Sequence, residues 1–410
     1  MSQPDVLIVG GGPAGLAAAC RLKALGVTDV RVVDREEALG GVPRHCGHYP
    51  FGVREFGRLM KGPAYARRLV DQADANGVTL CPKTAVVAVN EGGAVTLASD
   101  RGVERVTPKR LLLATGVRET PRSARLVGGA RPQGVFTTGA LQSLVYLHRM
   151  RPFRRPVIVG TELVSFSAIL TCRHAGIVPQ AMIEEGPRPV AFAAAAGLPA
   201  LLRIPLLTST RVSRVLGLRS VEGVEVMGED GAVRTLEADG VLFTGRFVPE
   251  ATLVRGSPLL LDPLTGGPFV DQHGRTSDPA VFAAGNLLRP VETAGWSFRE
   301  GRSVGDAIAL SLKGRLPDGR GVAVTVAGDA LAYAMPQRLT AGKAALRTLQ
   351  LRVSRSVKGT VRLTQGEGVL AERQVSARPE QRVLFIVPMA KVDLDGPPLR
   401  VTVEEGGSAG

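Results

Sequence analysis

The chain has 410 residues, 44% of them hydrophobic and 4% aromatic, which is enough for two or three domains with sizeable cores. No apolar run approaches the ~18 residues that a membrane-spanning helix needs. Lys and Arg outnumber Asp and Glu by 51 to 37, for a net charge of +14, but the arginines are dispersed and no zinc-finger, RNP or helix-turn-helix pattern accompanies them, so no nucleic-acid partner is expected and an acidic protein partner stays open.

The N-terminus enters an apolar strand almost at once, at "DVLIVGGG". That leaves no room for a signal peptide, so a cytoplasmic protein is expected. The strand (Val6–Val9) runs into Gly10-x-Gly12-x-x-Gly15 and an Ala/Leu-rich helix. A second strand (Val30–Val33) ends in Asp34, nineteen residues after Gly15. Gly10 permits a tight turn, Gly12 lets the backbone approach a pyrophosphate, and Gly15 lets helix and strand pack closely. The helix N-terminus faces the phosphates, and the acid can bond ribose hydroxyls. Gly10, Gly12, Pro13, Ala14, Gly15, Asp34 and Arg35 are therefore candidate contacts to a dinucleotide.

Two later strands carry glycine motifs of their own. "KRLLLATGVRETPR" (109–122) ends in Ala114-Thr115-Gly116, and "AVFAAGNLLRPVETAGW" (280–296) carries Gly285-Asn286 and then a helix. With the first loop, these motifs make residues 4–316 resemble the two-dinucleotide-domain flavoproteins of the disulfide-reductase-like superfamily. That resemblance implies an α/β fold of two Rossmann-like domains, with an FAD domain split by an inserted NAD-domain-like unit. It implies FAD as the cofactor, held also by Gly41, Val42, Arg44, His45, Val86, Ala114, Thr115, Gly116, Gly285 and Asn286. The family usually has Asp where Asn286 stands, to hold the ribityl chain. Thr293 is expected to cap a helix whose amides, beginning at Ala294, point at the flavin pyrimidine and favour its anionic reduced form.

"RPVIVGTELVSFSA" (155–168) starts the inserted unit as strand, Gly160 and helix, with Glu184 ending the next strand. Glu162 replaces the second loop glycine and Ser165 the third. A carboxylate within about 4 Å of a phosphate costs on the order of 1 kcal/mol in water and about 4 at an effective dielectric near 20. NAD(P) binding is therefore unlikely on the sequence, unless Glu162 swings out to solvent. The most apolar stretch of the chain, Pro189–Leu202, is broken by Gly197 and Pro199 and reads as a buried or surface helix.

The four cysteines, Cys20, Cys46, Cys81 and Cys172, lie in no metal-like or CxxC spacing, so no metal site is expected and a two-sulfur relay is improbable. Cys46 belongs to "GGVPRHCGHYPFG" (40–52), where such proteins pass the chain over the flavin. His45, Cys46 and His48 are the catalytic candidates there. The competing reading makes His45 a flavin contact and Cys46 a small buried hydrophobe. Arg44, Arg289 and Arg299 could favour an anionic substrate.

With "TGRFVPEATL" (244–253), the strap resembles a narrower group of FAD subunits that work beside a second flavoprotein. The group takes in one of the subunits of opine oxidase, one of those of hydrogen cyanide synthase, and the glycerol-3-phosphate-dehydrogenase-associated FAD oxidoreductases. The resemblance implies oxidation of an amine, amino acid, opine or small hydroxy compound, with electrons passing to a non-nicotinamide acceptor. It also implies a partner, either a second flavoprotein subunit or a small iron–sulfur subunit. The alternatives are a stand-alone NAD(P)H-dependent reductase of ferredoxin or rubredoxin type, and a flavin-bearing scaffold.

From about Gly321 short alternating strands indicate a small β-sandwich. It is either a homo- or hetero-oligomer interface or a passive cap. The expected domains are 1–118 and 241–316 for the FAD fold, 119–240 for the inserted unit, and 321–405 for the β domain.

Overall fold

A computed structural model describes residues 3–191, 197–342 and 348–405. Its first sheet is wholly parallel, in the order Val281–Ala283, Arg110–Leu113, Val6–Val9, Val30–Val33, Thr79–Cys81. Val6–Val9 is buried along its whole length, as a central parallel strand covered on both faces must be. Helices Pro13–Ala24 and Ala294–Leu312 cover one face, and a Cβ on Gly301 would overlap the Ala14 carbonyl where they cross. On the other face Leu7, Val9, Leu111 and Leu113 pack with Val89, Val95 and Leu97 of an antiparallel three-stranded meander.

The inserted unit repeats the plan. Its parallel sheet runs Val135–Thr137, Gly240–Phe243, Pro156–Val159, Ala181–Ile183, Leu206–Leu207, with its own meander over 210–237. A two-stranded ribbon, Val117–Glu119 against Phe247–Pro249, joins the units. The expected boundary at 240/241 is therefore wrong. Gly240–Phe243 is an inner strand of the inserted sheet, and the FAD fold resumes only after the ribbon. The error has a physical source: "VLFTG" repeats the apolar-strand-then-Thr-Gly pattern of "LLLATG" (111–116), and pattern alone does not say which sheet a strand joins.

The tail forms two sheets, of five and three strands, around one apolar core. Strands Gly321–Val326 and Leu399–Glu405 run parallel within an otherwise antiparallel arrangement. This sandwich is bonded to the FAD fold along a polar seam. Gln272 and Thr340 exchange hydrogen bonds of 2.6 and 2.8 Å, and Gln337 Nε2 donates to Asp262 at 3.0 Å. The guanidinium of Arg382 lies over the Trp296 ring at 3.6 Å. Of the stretch expected to be helical at Pro189–Leu202, residues 192–196 lie outside the described residues, and one helical turn, Leu198–Leu201, lies inside them. Among the described residues no helix is long and apolar enough to cross a membrane.

Candidate functional site

The loop after Val6–Val9 is built by close approach. Gly10 has φ +106°, and a Cβ there would overlap the Ala114 carbonyl; a Cβ on Gly15 would overlap the Gly10 carbonyl. Above Gly12 the nearest atom to a Cβ would be Gly41 Cα at 3.9 Å, so this glycine faces a gap bounded by backbone. Helix Pro13–Ala24 begins with no side-chain cap and no acidic residue in its first turn, leaving a positive helix end for an anion. Asp34 is fixed at the strand end, accepting from Gly11 N–H at 2.7 Å and Glu36 N–H at 2.9 Å. Thr84 N–H donates to the Asp34 carbonyl at 2.9 Å, which brings the strand holding Val86 alongside. Arg35 is exposed, 3.9 Å from Glu36, and Arg44 reaches the same carboxylate at 3.8 Å. A gap that a Cβ would narrow, an uncapped helix end and a fixed acid together fit the adenosine and pyrophosphate of FAD.

The second half of the cleft is more altered than the motifs suggest. Thr115 Oγ1 donates to the Glu250 carbonyl at 2.8 Å, and Gly116 has φ +81° with open space where a Cβ would go. Gly285, at φ +76°, packs on Ala14. Asn286 donates to the Glu292 carbonyl at 3.0 Å and accepts from the Glu292 N–H at 2.8 Å. An ionised aspartate could make the second bond but not the first, which gives the departure from Asp a structural reason. The helix begins at Ala294 as expected, but the Thr293 hydroxyl does not cap it; it accepts from Arg54 at 3.2 Å. Arg289 is not available to a substrate. It is 1% exposed and bonds Glu300 at 2.9 Å, the Gly285 carbonyl at 3.1 Å and Gln350 at 2.9 Å. Arg299 lies over the Trp296 ring at 5.3 Å.

The strap over the cleft is a short 3-10 turn, Val42–His45, leading to Cys46. The Cys46 thiol is buried against the Val42 carbonyl, and burial pushes its pKa up to about 12. It stays protonated at neutral pH, which argues against a nucleophile. Burial, and then Arg44, push the His45 imidazole down to about 4, and among the described residues its buried Nδ1 has no hydrogen-bond partner. His48 lies apart from this pair, its Nδ1 2.9 Å from the Tyr49 carbonyl and its ring against Phe51.

Sequence reasoning missed two residues beside the strap. Gln142 of helix Thr138–Tyr146 reaches Cys46 Sγ at 3.6 Å. Glu119, at the end of the ribbon, accepts from Gly139 N–H at 2.8 Å and Gly245 N–H at 3.1 Å, and burial holds its carboxyl above the usual range. The only signal for Glu119 was its place three residues after Gly116.

The inserted loop looks the same in backbone and differs in what fills it. Gly160 has φ +117°, close to that of Gly10. The Glu162 carboxylate does not swing out. It folds back over the loop, with Oε2 2.5 Å from where a Gly160 Cβ would be and 2.7 Å from where a Gly245 Cβ would be, and accepts from the Thr244 hydroxyl at 3.3 Å. Burial raises its pKa and Arg125 opposes the shift. Arg125 itself donates to the carbonyls of Thr244 and Gly245 at 2.7 and 2.9 Å. Glu184, the counterpart of Asp34, is buried and accepts from the Thr161 hydroxyl and from Gly186 N–H at 2.9 Å. Among the described residues no group of three or more His, Cys, Asp or Glu side chains could hold a metal ion.

Comparison with known proteins follows the same outline. Residues 4–301 match the family described as pyridine nucleotide-disulphide oxidoreductase. The A-type subunit of opine oxidase from Rhizobium meliloti (strain 1021) is 30% identical over 251 residues, 59% of this chain and 52% of its own length. The glutamate synthase (NADPH) small chain of Mycobacterium tuberculosis (strain CDC 1551 / Oshkosh) is 28% identical over 360 residues, 77% of this chain and 68% of its own. The chain thus spans about half the length of the first relative. The thioredoxin reductase of T. acidophilum superposes with a TM-score of 0.63 at 22% identity, over 75% of this chain and 98% of that one, a likeness of fold.

Proposed function

Since the chain belongs to the pyridine nucleotide-disulphide oxidoreductase family, whose members are FAD-dependent oxidoreductases, we propose that it is the flavin subunit of a multi-subunit dehydrogenase or oxidase. In this reading an amine, amino acid, opine or small hydroxy compound reduces the flavin, and electrons leave for an acceptor other than a nicotinamide. The observation that carries the reading is the Glu162 carboxylate folded into the inserted loop. Two relatives named as parts of larger enzymes support a partner, a second flavoprotein or a small iron–sulfur protein being the kinds that fit.

FAD, when bound, supplies a two-electron acceptor that can also pass electrons singly. The chain's own residues do the rest. Gly10, Gly12, Pro13, Ala14, Gly15 and Gly41 hold the pyrophosphate on the helix end, and Asp34 holds the ribose. Asn286 fixes the 286–292 loop, so that Ala294 and the helix amides after it stand at the flavin pyrimidine. His45, neutral at pH 7, offers a hydrogen bond rather than a charge, and Cys46 remains a thiol. This assigns His45 to orienting the flavin or substrate.

A second reading, an NAD(P)H-driven reductase, is favoured by the NADPH in the name of the glutamate synthase relative. Mixing the anaerobic holoprotein with NADH and then NADPH separates the two. Flavin absorbance that persists supports the dehydrogenase, and rapid bleaching supports the reductase. Replacing His45 and His48 by alanine together tests the scaffold alternative: turnover of the purified complex should fall sharply, and unchanged turnover would leave both without a catalytic part.

A further inference from the structure

We propose that Glu380, carried in from the C-terminal sandwich, is a coenzyme-specificity determinant: its carboxylate takes the phosphate position at the start of helix Leu163–His174 and, with Glu162, closes the inserted fold to NADH and NADPH. This rests on the reading above, that no nicotinamide enters there, and names the part of the molecule that completes the exclusion.

Leu163 N–H, the first amide of the helix, donates to Glu380 Oε2 at 3.3 Å across 217 residues of sequence. Free amides at such an end, with the positive pole of the helix behind them, are what a dinucleotide phosphate binds. Among the described residues no side chain accepts from the first amides of the matching helix in the FAD fold. Here the position already holds an anion. Burial raises the pKa of the Glu380 carboxyl, the helix amide opposes the shift, and the nearby charge of Glu162 adds to it. A phosphate arriving at this end would have to displace one carboxylate and face the other.

Glu380 is braced from behind. It sits in the short connection between strands Gly368–Ala377 and Val383–Ile386, which Arg378 and Gln381 close with two 2.9 Å bonds. The Glu380 carbonyl accepts from Arg352 Nη1. The same guanidinium bonds Glu292 at 3.0 Å, the Val291 carbonyl at 3.2 Å and the Tyr333 hydroxyl at 3.2 Å. One buried arginine therefore ties the Glu380 backbone to the flavin-side loop 291–292. The clamp holds the Glu380 backbone, and from there the carboxylate reaches the helix end.

The test uses the full-length holoprotein and NADH and NADPH as probes, with equilibrium binding followed by calorimetry and nicotinamide fluorescence. Four proteins are compared: wild type, E380Q, the loop repair E162G/S165G, and the repair combined with E380Q. E380A in the repaired background serves as a second route should the amide hold the helix end as the acid does. FAD content and melting temperature report on folding. The proposal expects no saturable binding to the wild type and weak or no binding to the repaired loop alone. It expects a gain of about tenfold or more when Glu380 is also neutralised. Equally tight binding to the repaired loop with Glu380 intact would overturn it, as would a combined variant that binds no better. A drop in melting temperature with binding unchanged would assign Glu380 to tethering the sandwich, and also overturns it. Wild-type binding would overturn the functional reading itself, which keeps the two failures distinct.

Discussion

The two nucleotide folds of this chain differ little in backbone and sharply in what lines the loop. Both put a positive-φ glycine after a buried central strand, Gly10 and Gly160, and both place a carboxylate after the next strand, Asp34 and Glu184. In the first, Gly12 opens onto a gap and the helix end is uncapped. In the second, Glu162 fills the gap and Glu380 takes the helix amide. The Asp34 carboxylate is half-buried and accepts from the Gly11 and Glu36 amides, whereas the Glu184 carboxylate is buried and accepts from the Thr161 hydroxyl as well as the Gly186 amide. Sheet order and loop geometry set where a dinucleotide could lie, and in the proposed reading a handful of side chains decide whether one does.

The most severe way to break the contrast is to copy the inserted loop into the first. G12E places a carboxylate where the FAD pyrophosphate belongs, at a cost of about 4 kcal/mol at an effective dielectric near 20, or roughly a thousandfold in affinity. The variant should purify colourless, and retained flavin absorbance would show that the Gly12 gap is not the phosphate seat.

A smaller effect concerns the strap between the folds. The folded pKa of His45, about 4, lies below the ordinary value of 6.5. Between those limits the unfolded chain binds the extra proton, so the folded state gains stability as pH rises from about 4 to about 6.5 and no more above it. The full span is worth about 3 kcal/mol. Denaturant unfolding of wild type and H45Q at pH 7.5 and pH 4.5 checks this through the difference between the two proteins, because buried carboxyls such as Glu119 titrate in both. The wild type should lose more stability than H45Q on acidification; parallel losses would mean that His45 is solvated.

The gentlest change is N286D. It removes the donor to the Glu292 carbonyl while keeping the acceptor for the Glu292 N–H, at a cost of about 1 kcal/mol. FAD should remain bound, with a shifted flavin spectrum as the 286–292 loop loosens. A spectrum and melting temperature identical to wild type would deny Asn286 its loop-closing part.

The legible parts were those written in short-range pattern. Glycine spacing, a strand ending in an acid, and alternation after Gly321 gave the first fold, the inserted fold and the sandwich. What failed was decided by contacts between distant segments. Gly240–Phe243 looks like a strand of either sheet, and pairing with Val135–Thr137 and Pro156–Val159 settles it. Arg289 reads as a basic side chain beside the flavin until Glu300 and Gln350 enclose it. Thr293 occupies the capping position while Arg54 takes its hydroxyl. Glu380 carried no local signal at all, because its partner helix lies more than half the chain away. At Glu162 the sequence placed the residue, and only the side-chain path, turned inward over Gly160 and Gly245, was left to the structure.

The central claim is that one of the two nucleotide folds holds a dinucleotide and the other is shut by its own carboxylates. Equilibrium dialysis of the FAD-loaded wild type against labelled NADH and NADPH, followed by release and counting of bound nucleotide, tests it directly. The account predicts one dinucleotide per chain, FAD, with no saturable second. A second equivalent of either nicotinamide bound per chain would contradict it.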